Sequence, residues 1–298
     1  MNQPQYTHKS VLLEEVLENL VWDAGGLYLD ATLGLGGHSE AILQRLTPQG
    51  KLLGLDMDPE AFFQASERLA TYSAQFHAVN ANFRTLGHVL EREKFFPLAG
   101  ALFDLGVSSL HFDKPERGFS FSKEGPLDMR LSPENSLTAE AIVNRWPIEQ
   151  LEMLIKEFGE DPAAHRIAGA IVARREKQPF KTTTDLADVI KRNSPHSNLH
   201  AATRTFMALR IAVNAELENL TRALESVLPY IRQGGRICVI SFHSLEDKIV
   251  KNVFSSFVND GSYRSVQKSG KSAIRPSEAE VQRNPRARSA KLRVVEKL

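Results

Sequence analysis

Three apolar segments of strand length each contain an aspartate at or near their carboxyl end, and this pattern sets the tightest limit on the fold. The segments are GLYLDAT (26–32), KLLGLD (51–56) and LAGALFDLG (98–106). A further strand pattern, QFHAVN (75–80), stands between the last two, so LAGALFDLG is the fourth predicted strand. Helical patterns follow the first two, at SEAILQRL and after Asp58-Pro59, where the acid can cap a helix that the proline begins. This alternation predicts a parallel sheet with helices on both faces. Asp30, Asp56 and Asp104 would then meet in one crevice, at the carboxyl ends of neighbouring strands.

A glycine turn comes directly after the first strand, in ATLGLGGHSE (31–40). Glycines let the main chain approach a ligand closely, and two ligands compete for this turn. The dinucleotide fingerprint needs a third glycine where this chain has Ser39, although Asp56 supplies the later acid that the fingerprint also needs. An NAD(P)-dependent oxidoreductase is therefore kept as an alternative.

S-adenosylmethionine is the ligand that the turn favours. Methyltransferases that use it carry an acid at the end of the first strand and small residues at every second position after it. Asp30, Gly34 and Gly36 follow that spacing. Thr32 stands in place of the first glycine. Three converging carboxylates would repel a pyrophosphate but suit a sulfonium that carries an amino group. The sequence thus predicts S-adenosylmethionine as cofactor, and we expect no metal at the site.

Strand patterns stop between about Leu110 and Val213, where helical patterns and turn-rich loops replace them. They return at GGRICVISF (234–242) and AKLRVVEKL (290–298). The simplest interpretation is a Rossmann-like α/β sheet with an inserted all-helical domain. The predicted domains are a methyltransferase domain at 1–109 and 214–298 and a helical substrate-recognition domain at 110–213.

The charge is distributed unevenly along the chain. Residues 261–298 hold ten Lys and Arg against three Glu, a charge of +7, so the preceding residues must sum to −6 for the total of +1. Such a basic segment on an acidic body indicates a polyanionic partner. The stretch 260–288 is rich in Ser, Gly, Lys and Arg, and we expect a mobile loop there.

Several features favour a cytoplasmic protein without a membrane span. The apolar stretches are no longer than a strand, and the first ten residues, MNQPQYTHKS, lack the apolar core of a signal peptide. The single cysteine, Cys238, excludes an intrachain disulfide and fits a reducing compartment.

Eight segments together are specific enough to indicate a family. They are YTHKSVLLEEVL, DATLGLGGHSEAIL, LDMDPEA, DLGVSS, ERGFSFSKEGPLDMR, TRTFMALRIAVNAEL, GGRICVISFHSLED and NPRARSAKLRVVE. In this order the chain resembles the bacterial 16S ribosomal RNA cytosine-N4 methyltransferase family (RsmH, formerly MraW) almost from end to end. The resemblance implies a class I S-adenosylmethionine-dependent methyltransferase. Its substrate would be the exocyclic N4 of one cytidine at the ribosomal decoding centre, and its partner 16S rRNA or the small ribosomal subunit.

The resemblance also implies which residues bind the cofactor. They are Gly36, Gly37, His38, Asp56, Phe83, Asp104 and His111. Phe83 would flank the adenine. The family commonly continues DLGVSS with Pro-Gln, whereas this chain has Leu110-His111. The imidazole can still donate or accept one hydrogen bond, but its charge depends on pH.

Methyl transfer to a cytosine amine needs orientation and dehydration more than covalent help. It also needs acceptors on the amine hydrogens, because the nitrogen lone pair is delocalised into the ring. The Asp/Asn-Pro-Pro-aromatic turn that many amino-methyltransferases use is absent, since the place after the fourth strand reads DLGVSS. Asp128, in the GPLDMR loop, and His243, at the end of the fifth strand, are the predicted catalytic residues. The alternative for His243 is a helix cap.

Other side chains are candidates for holding RNA. Phe119 and Phe121 could stack on an unpaired base. The candidates for phosphate contacts are Arg166, Arg174, Arg175, Lys177, Arg204, Arg210, Arg286 and Arg288. A non-catalytic RNA-binding protein on a methyltransferase fold is a second alternative function, against which the three retained acids argue. Adenine N6 or a protein amine stays open as the acceptor, because the specificity for cytidine rests on the resemblance. The oligomeric state is open as well.

Overall fold

The structure is a computed structural model that describes residues 10–194, 200–266 and 273–298. It divides into two compact units, each described by itself below. The first consists of the chain up to Gly106 together with Leu217–Leu298, and the second is Val107–Glu216. Among the described residues, no helix combines the length and the apolar character needed to cross a membrane.

The first unit is built on a sheet of seven strands among its described residues. They are β1 (Leu27–Asp30), β2 (Lys51–Asp56), β3 (Phe76–Asn80), β4 (Leu98–Asp104), β5 (Ile231–Ser241), β6 (Tyr263–Ser265) and β7 (Lys291–Lys297). Their order across the sheet is β3-β2-β1-β4-β5-β7-β6. The first five are parallel, and β7 runs antiparallel between β5 and β6. This doubly wound sheet confirms the predicted Rossmann-like α/β class, and the direction of winding reverses between β1 and β4.

The helices follow in chain order. They are α1 (Leu13–Leu20), α2 (Gly37–Arg45), α3 (Pro59–Arg68), α4 (Leu86–Glu93), α5 (Ser109–Asp113), α6 (Ala139–Arg145), α7 (Ile148–Glu157), α8 (Ala164–Arg175), α9 (Thr183–Asn193), α10 (Ala202–Asn214), α11 (Glu216–Val227), α12 (Ser244–Asn259) and α13 (Glu278–Arg283). Short 3₁₀ turns lie at Ala70–Tyr72, Phe83–Thr85, Pro115–Arg117, Leu228–Tyr230 and Pro285–Ser289. Helices α5 to α10 belong to the second unit. As predicted, α3 begins after Asp58, whose Oδ1 accepts the Glu60 N–H at 2.9 Å.

The sheet is covered on both faces, which is why its central strands read as continuous apolar runs. Neighbouring residues of one strand enter different core clusters. Tyr28 packs in the cluster that contains the apolar residues of α1 and α2, whereas Leu29 packs in the cluster that contains those of α4 and α12. Leu102 and Phe103 of β4 divide in the same way. This alternation is what a strand buried between two layers of helices requires.

The expectation of a mobile loop at 260–288 is wrong for its described residues, and 267–272 lie outside them. The stretch contains β6, α13 and a 3₁₀ turn, and Ile274 forms an isolated bridge with Leu292. Ser277 caps α13 by accepting the Glu280 N–H. Glu280 in turn accepts the Leu12 N–H at 2.8 Å, which attaches α13 to the start of α1. The Ser-x-x-Glu pattern of a capping box was present here, but the polar composition pointed the other way.

The second unit has its own apolar core. Buried residues of α6 to α10, such as Ile167 of α8 and Phe206 of α10, pack together there. The segment GFSFSKEGPLDMR is folded closely rather than open. A Cβ at Gly118 would lie 2.1 Å from the Pro126 carbonyl oxygen, and Leu127 is buried in the core. The loop is therefore part of the packed structure. The described residues of this unit include no strand beyond the isolated bridge between Pro126 and Thr182.

Candidate active site

The three predicted acids lie at the carboxyl ends of three adjacent strands, β2, β1 and β4. Asp30 is the most deeply buried of them, with 1% of its surface exposed. Its Oδ2 accepts the Ser39 hydroxyl at 2.7 Å and its Oδ1 the Thr32 N–H at 3.2 Å. Burial raises the pKa of Asp30, and the Ser39 hydrogen bond opposes that shift. The hydrogen bond from Ser39 to Asp30 thus connects α2 to the end of β1. Ser39 stands at the position where a dinucleotide-binding fold needs glycine.

Asp56 holds the glycine turn from the side of β2. Its Oδ2 accepts the Gly34 N–H at 2.7 Å, and its Oδ1 accepts the Asp58 N–H at 2.8 Å. Burial raises the pKa of Asp56 to about 7, although both hydrogen bonds favour the charged form. The carboxylate therefore shapes the bend and changes its charge near neutral pH.

The turn itself is a bend of nearly bare main chain. Gly34 and Gly36 have φ angles of +52° and +78°, a region that glycine enters without strain. At Gly37, where α2 begins, a Cβ would lie 2.3 Å from the Ser10 hydroxyl. Glycine at position 37 therefore lets the start of α2 pack closely against Ser10. The first N–H groups of α2 have no partner inside their own helix.

His38 and Asp104 form a buried pair beside this turn. The His38 side chain is 5% exposed, and its Nε2 lies 3.4 Å from the Asp104 Oδ2. Both ring nitrogens of His38 and the Oδ1 of Asp104 are buried without a hydrogen-bond partner among the described residues. Burial is the largest effect and lowers the pKa of His38, but the carboxylates of Asp104, Asp30 and Glu280 together raise it more, and the net shift is upward. Buried polar atoms without partners mark a place where a ligand can supply them.

Thr32 has a role that the sequence did not reveal. Its Oγ1 accepts the Asp104 N–H at 2.6 Å and so joins the end of β1 to the end of β4. The last main-chain bond between these strand ends runs from the Ala31 N–H to the Leu102 carbonyl, at 2.9 Å. The Thr32 hydroxyl therefore extends the strand pairing by one side-chain bond after the main chain has turned away. A glycine at this position, as in the common fingerprint, could not do so.

Phe83 and His111 were also assigned to the cofactor. Phe83 begins a 3₁₀ turn after β3, next to β2 in the sheet, and its ring meets Phe103 edge-on at 6.3 Å. His111 lies in the second unit, where its Nδ1 accepts the Ser108 N–H at 3.0 Å in a capping box at α5. Glutamine commonly makes this bond in a capping box. The imidazole can therefore replace the glutamine of the family pattern locally.

The family of this chain follows from a match to a protein family over nearly its whole length. Residues 5–298 match the MraW methylase family. The chain belongs to this family. The ribosomal RNA small subunit methyltransferase H of Dehalococcoides mccartyi (strain BAV1) is 46% identical and is aligned over 99% of this chain and 87% of its own length. The protein of the same name from Halothermothrix orenii is 45% identical, over 98% of both chains. A solved putative rRNA-methylase from Clostridium thermocellum is 11% identical, with a TM-score of 0.47, over 98% of this chain and 100% of that one.

A member of the MraW methylase family is a methyltransferase, and its methyl donor is S-adenosylmethionine. The predicted enzyme class and cofactor are thus confirmed, and the oxidoreductase alternative is set aside. The site fits a cationic donor, because the unpartnered atoms of His38 and Asp104 lie beside a bare main-chain bend at an edge lined by carboxylates.

Both residues predicted to be catalytic form bonds with residues close to them in the chain. Asp128 forms a two-bond ion pair with Arg130, at 2.8 Å for each bond. Burial by itself raises the pKa of Asp128, but the bonds and charge of Arg130 outweigh it and leave the pKa below its usual value. His243 is the N-cap of α12, in a capping box with Glu246. The helix cap that was its alternative is therefore observed, and the catalytic roles of both residues stay predictions.

The structure argues against two of the residues predicted to hold RNA and leaves the others as predictions. Phe119 is 4% exposed in the core of the second unit, so the prediction that it offers a stacking surface is wrong. Arg210 donates two bonds of 2.8 Å to Glu216 and is not an open phosphate contact. Phe121 stacks on His200 with 4.4 Å between the ring centroids. The remaining candidates stay predictions, and the exposed ones among them are Arg166, Lys177, Arg204, Arg286 and Arg288.

Proposed function

We propose that this chain transfers the methyl group of S-adenosylmethionine to the exocyclic N4 of a cytidine in the 16S RNA of the small ribosomal subunit. The observation that carries the proposal is the buried His38–Asp104 pair beside the glycine turn, in a member of the MraW methylase family. Among the described residues, His38 Nδ1 and Asp104 Oδ1 of this pair have no hydrogen-bond partner. The choice of RNA is supported by relatives named ribosomal RNA small subunit methyltransferase H, which match nearly the whole chain. Cytidine N4 as the acceptor follows from the resemblance of the sequence motifs.

The cofactor would be held by the edge of the sheet at which β1, β2 and β4 end. We assign to it Gly36, Gly37, His38, Asp56, Phe83 and Asp104, and His111 by resemblance. The carboxylates favour a ligand with a sulfonium and an ammonium group, since opposite charges attract strongly in a site removed from water. When bound, S-adenosylmethionine supplies an activated methyl group. Asp104 keeps one carboxylate oxygen, Oδ1, for a donor outside the described protein residues.

The reaction is an in-line displacement in which a nitrogen–carbon bond forms as a sulfur–carbon bond breaks. The cytosine amine gives up one proton, and the products are the N4-methylated base and S-adenosylhomocysteine. The protein needs to orient the amine and exclude water, for which effective molarities of about 10⁵ M or more are possible. His243 is the candidate for receiving the proton. Asp128, with a lowered pKa, is better suited to accept a hydrogen bond than to act as a base.

The second unit would recognise the RNA. The predicted inserted domain, 110–213, falls within the compact unit Val107–Glu216. Arg204 is exposed on α10 of this unit, and Phe121 and His200 offer a stacked pair of rings. In the first unit, Arg286 and Arg288 are exposed on a 3₁₀ turn in the basic segment. A base within folded RNA must be turned out of its stack to reach the methyl donor.

The test is methylation in vitro with methyl-labelled S-adenosylmethionine and three substrates. They are protein-free 16S RNA, precursor particles and mature small subunits. Nucleosides are then released and identified by mass spectrometry, with Asp104→Asn as the inactive control. We expect label in N4-methylcytidine and in no other nucleoside, in one or more of the three substrates. Label in N6-methyladenosine, or no transfer to any of them, would contradict the proposal.

A further inference from the structure

An ion pair lies against the glycine turn and has no part in the function described so far. Arg68, the last residue of α3, donates from Nε and Nη2 to Glu40 Oε2 of α2, at 3.0 and 2.6 Å. Its third bond runs from Nη1 to the carbonyl oxygen of Leu35, at 3.1 Å. One guanidinium thus joins two helices and a single carbonyl within the turn.

That carbonyl belongs to a peptide group that adjoins a glycine of the turn. Leu35 lies between Gly34 and Gly36, both of which have positive φ. A peptide group next to glycine can rotate at little cost, because glycine tolerates several backbone conformations. The Gly36 N–H of the same peptide group donates to the Leu33 carbonyl at 2.8 Å. Arg68 therefore fixes the direction of this peptide group from one end while Leu33 fixes it from the other.

The turn is held by two charged residues with different tasks. Asp56 accepts the N–H of Gly34, and Arg68 donates to the carbonyl of Leu35 one residue later. The pair of Arg68 and Glu40 is only partly exposed, at 23% and 30%. A second ion pair on α2, Arg45 with Glu14, is more exposed, at 46% and 69%. Within the part of the chain that the structure describes, neither of these two side chains bonds to the turn. The two pairs therefore form a matched comparison.

We propose that Arg68 is a positioning residue for the cofactor site: anchored by Glu40, it holds the Leu35 carbonyl and thereby keeps the turn Gly34–Gly37 in the form that binds S-adenosylmethionine. The proposal rests on the assignment of this turn to the cofactor. Arg68 itself need not touch the cofactor. Its loss should therefore weaken cofactor binding without changing how RNA is bound.

The experiment compares Arg68→Met, Arg68→Lys and Glu40→Gln with the control Arg45→Met. Calorimetric titration with S-adenosylhomocysteine gives the affinity, and thermal unfolding without ligand gives the stability. We expect Arg68→Met to weaken binding about tenfold or more, the loss typical of one hydrogen bond to a charged group. Arg68→Lys should recover part of the loss, since an ammonium can reach one of the two acceptors. Glu40→Gln should give a smaller loss, and Arg45→Met none.

Steady-state kinetics separates positioning from general damage. Arg68→Met should raise KM for S-adenosylmethionine and leave KM for the RNA substrate unchanged. Binding by Arg68→Met as tight as by Arg45→Met would overturn the proposal. Equal rises in KM for S-adenosylmethionine and for RNA, in proportion to the fall in thermal stability, would also overturn it. If the wild-type chain itself failed to bind S-adenosylhomocysteine, the cofactor assignment would fail instead, which is a distinguishable result.

Discussion

Replacing Thr32 with valine tests whether a side chain extends the pairing between β1 and β4. Valine keeps the branched shape and removes the hydroxyl oxygen that accepts the Asp104 N–H at 2.6 Å. The amide then loses its partner in a partly buried place. Leaving a buried donor unpaired costs about 1–3 kcal/mol. We therefore expect the free energy of unfolding to fall by that amount.

The same change should weaken cofactor binding, because the bond fixes the residue that faces His38. We expect the displacement of Asp104 to weaken the affinity for S-adenosylhomocysteine about tenfold. This corresponds to a loss of about 1.4 kcal/mol of binding free energy. Urea unfolding measures the first effect and calorimetric titration the second. Thr32→Ser keeps the hydroxyl and should restore both quantities.

Thr47→Val is the matched control for this substitution. The Thr47 hydroxyl donates to the Ala24 carbonyl at 3.2 Å in an exposed place, and its loss should cost less than about 0.5 kcal/mol. If Thr32→Val were as stable as this control and bound S-adenosylhomocysteine equally well, the bond would have no structural importance. A fall in stability that Thr32→Ser does not repair would likewise refute the role of the hydroxyl.

Three further predictions concern pH, packing and RNA. The pKa of Asp56, raised to about 7, means that the native protein binds more protons than the unfolded chain between about pH 4 and 7, so stability should fall as pH rises through this range. Above pH 7 the carboxylate is charged and favours a cation, so affinity for S-adenosylmethionine should rise from pH 6 to 8. Asp56→Asn should weaken both trends in unfolding and titration experiments, and the raised pKa values of Asp30 and His38 should keep part of the pH dependence. Phe119→Ala should lower the free energy of unfolding by about 3–5 kcal/mol in urea titrations, because the ring is buried; a loss below about 1 kcal/mol would contradict its place in the core. Arg286→Ala and Arg288→Ala should each reduce the slope of log affinity for RNA against log salt by about 0.7–0.9, measured by filter binding, whereas Arg222→Ala, which removes an exposed partner of Glu218, should leave it unchanged; equal slopes in all three would place the RNA elsewhere.

The sequence indicates most clearly the strands that are buried on both faces, β1, β2 and β4. Runs such as KLLGLD read as strands because every second residue meets one helical layer and the others meet the opposite layer. Strand β6 was not predicted, because it has only three residues, lies at the edge of the sheet and is flanked by polar residues in the sequence. Helix α13 was missed because composition was given more weight than the Ser277–Glu280 capping pattern.

The site was predictable as far as strand ends determine it. Three aspartates that end adjacent parallel strands must share one edge, and they do. The tasks of Ser39, Thr32 and Arg68 depend on partners 9, 72 and 33 residues away in the chain. A local sequence pattern cannot predict such pairs, because only the fold brings the partners together. The buried position of Phe119 was hidden for the same reason. The ion pair between Asp128 and Arg130 joins residues only two positions apart, and it depends on the conformation of the loop that contains both.

The place of β7 in the sheet constrains how the chain is completed during synthesis. This strand is the last along the chain, yet it lies between β5 and β6. A nascent chain that has emerged only as far as β6 therefore lacks the strand that links β6 to the sheet. Chains generally acquire structure from the N-terminal side as they are made. Here the edge of the sheet stays unfinished until Lys291–Lys297 leaves the ribosome, so truncation before this strand should yield aggregation-prone protein rather than a smaller stable domain.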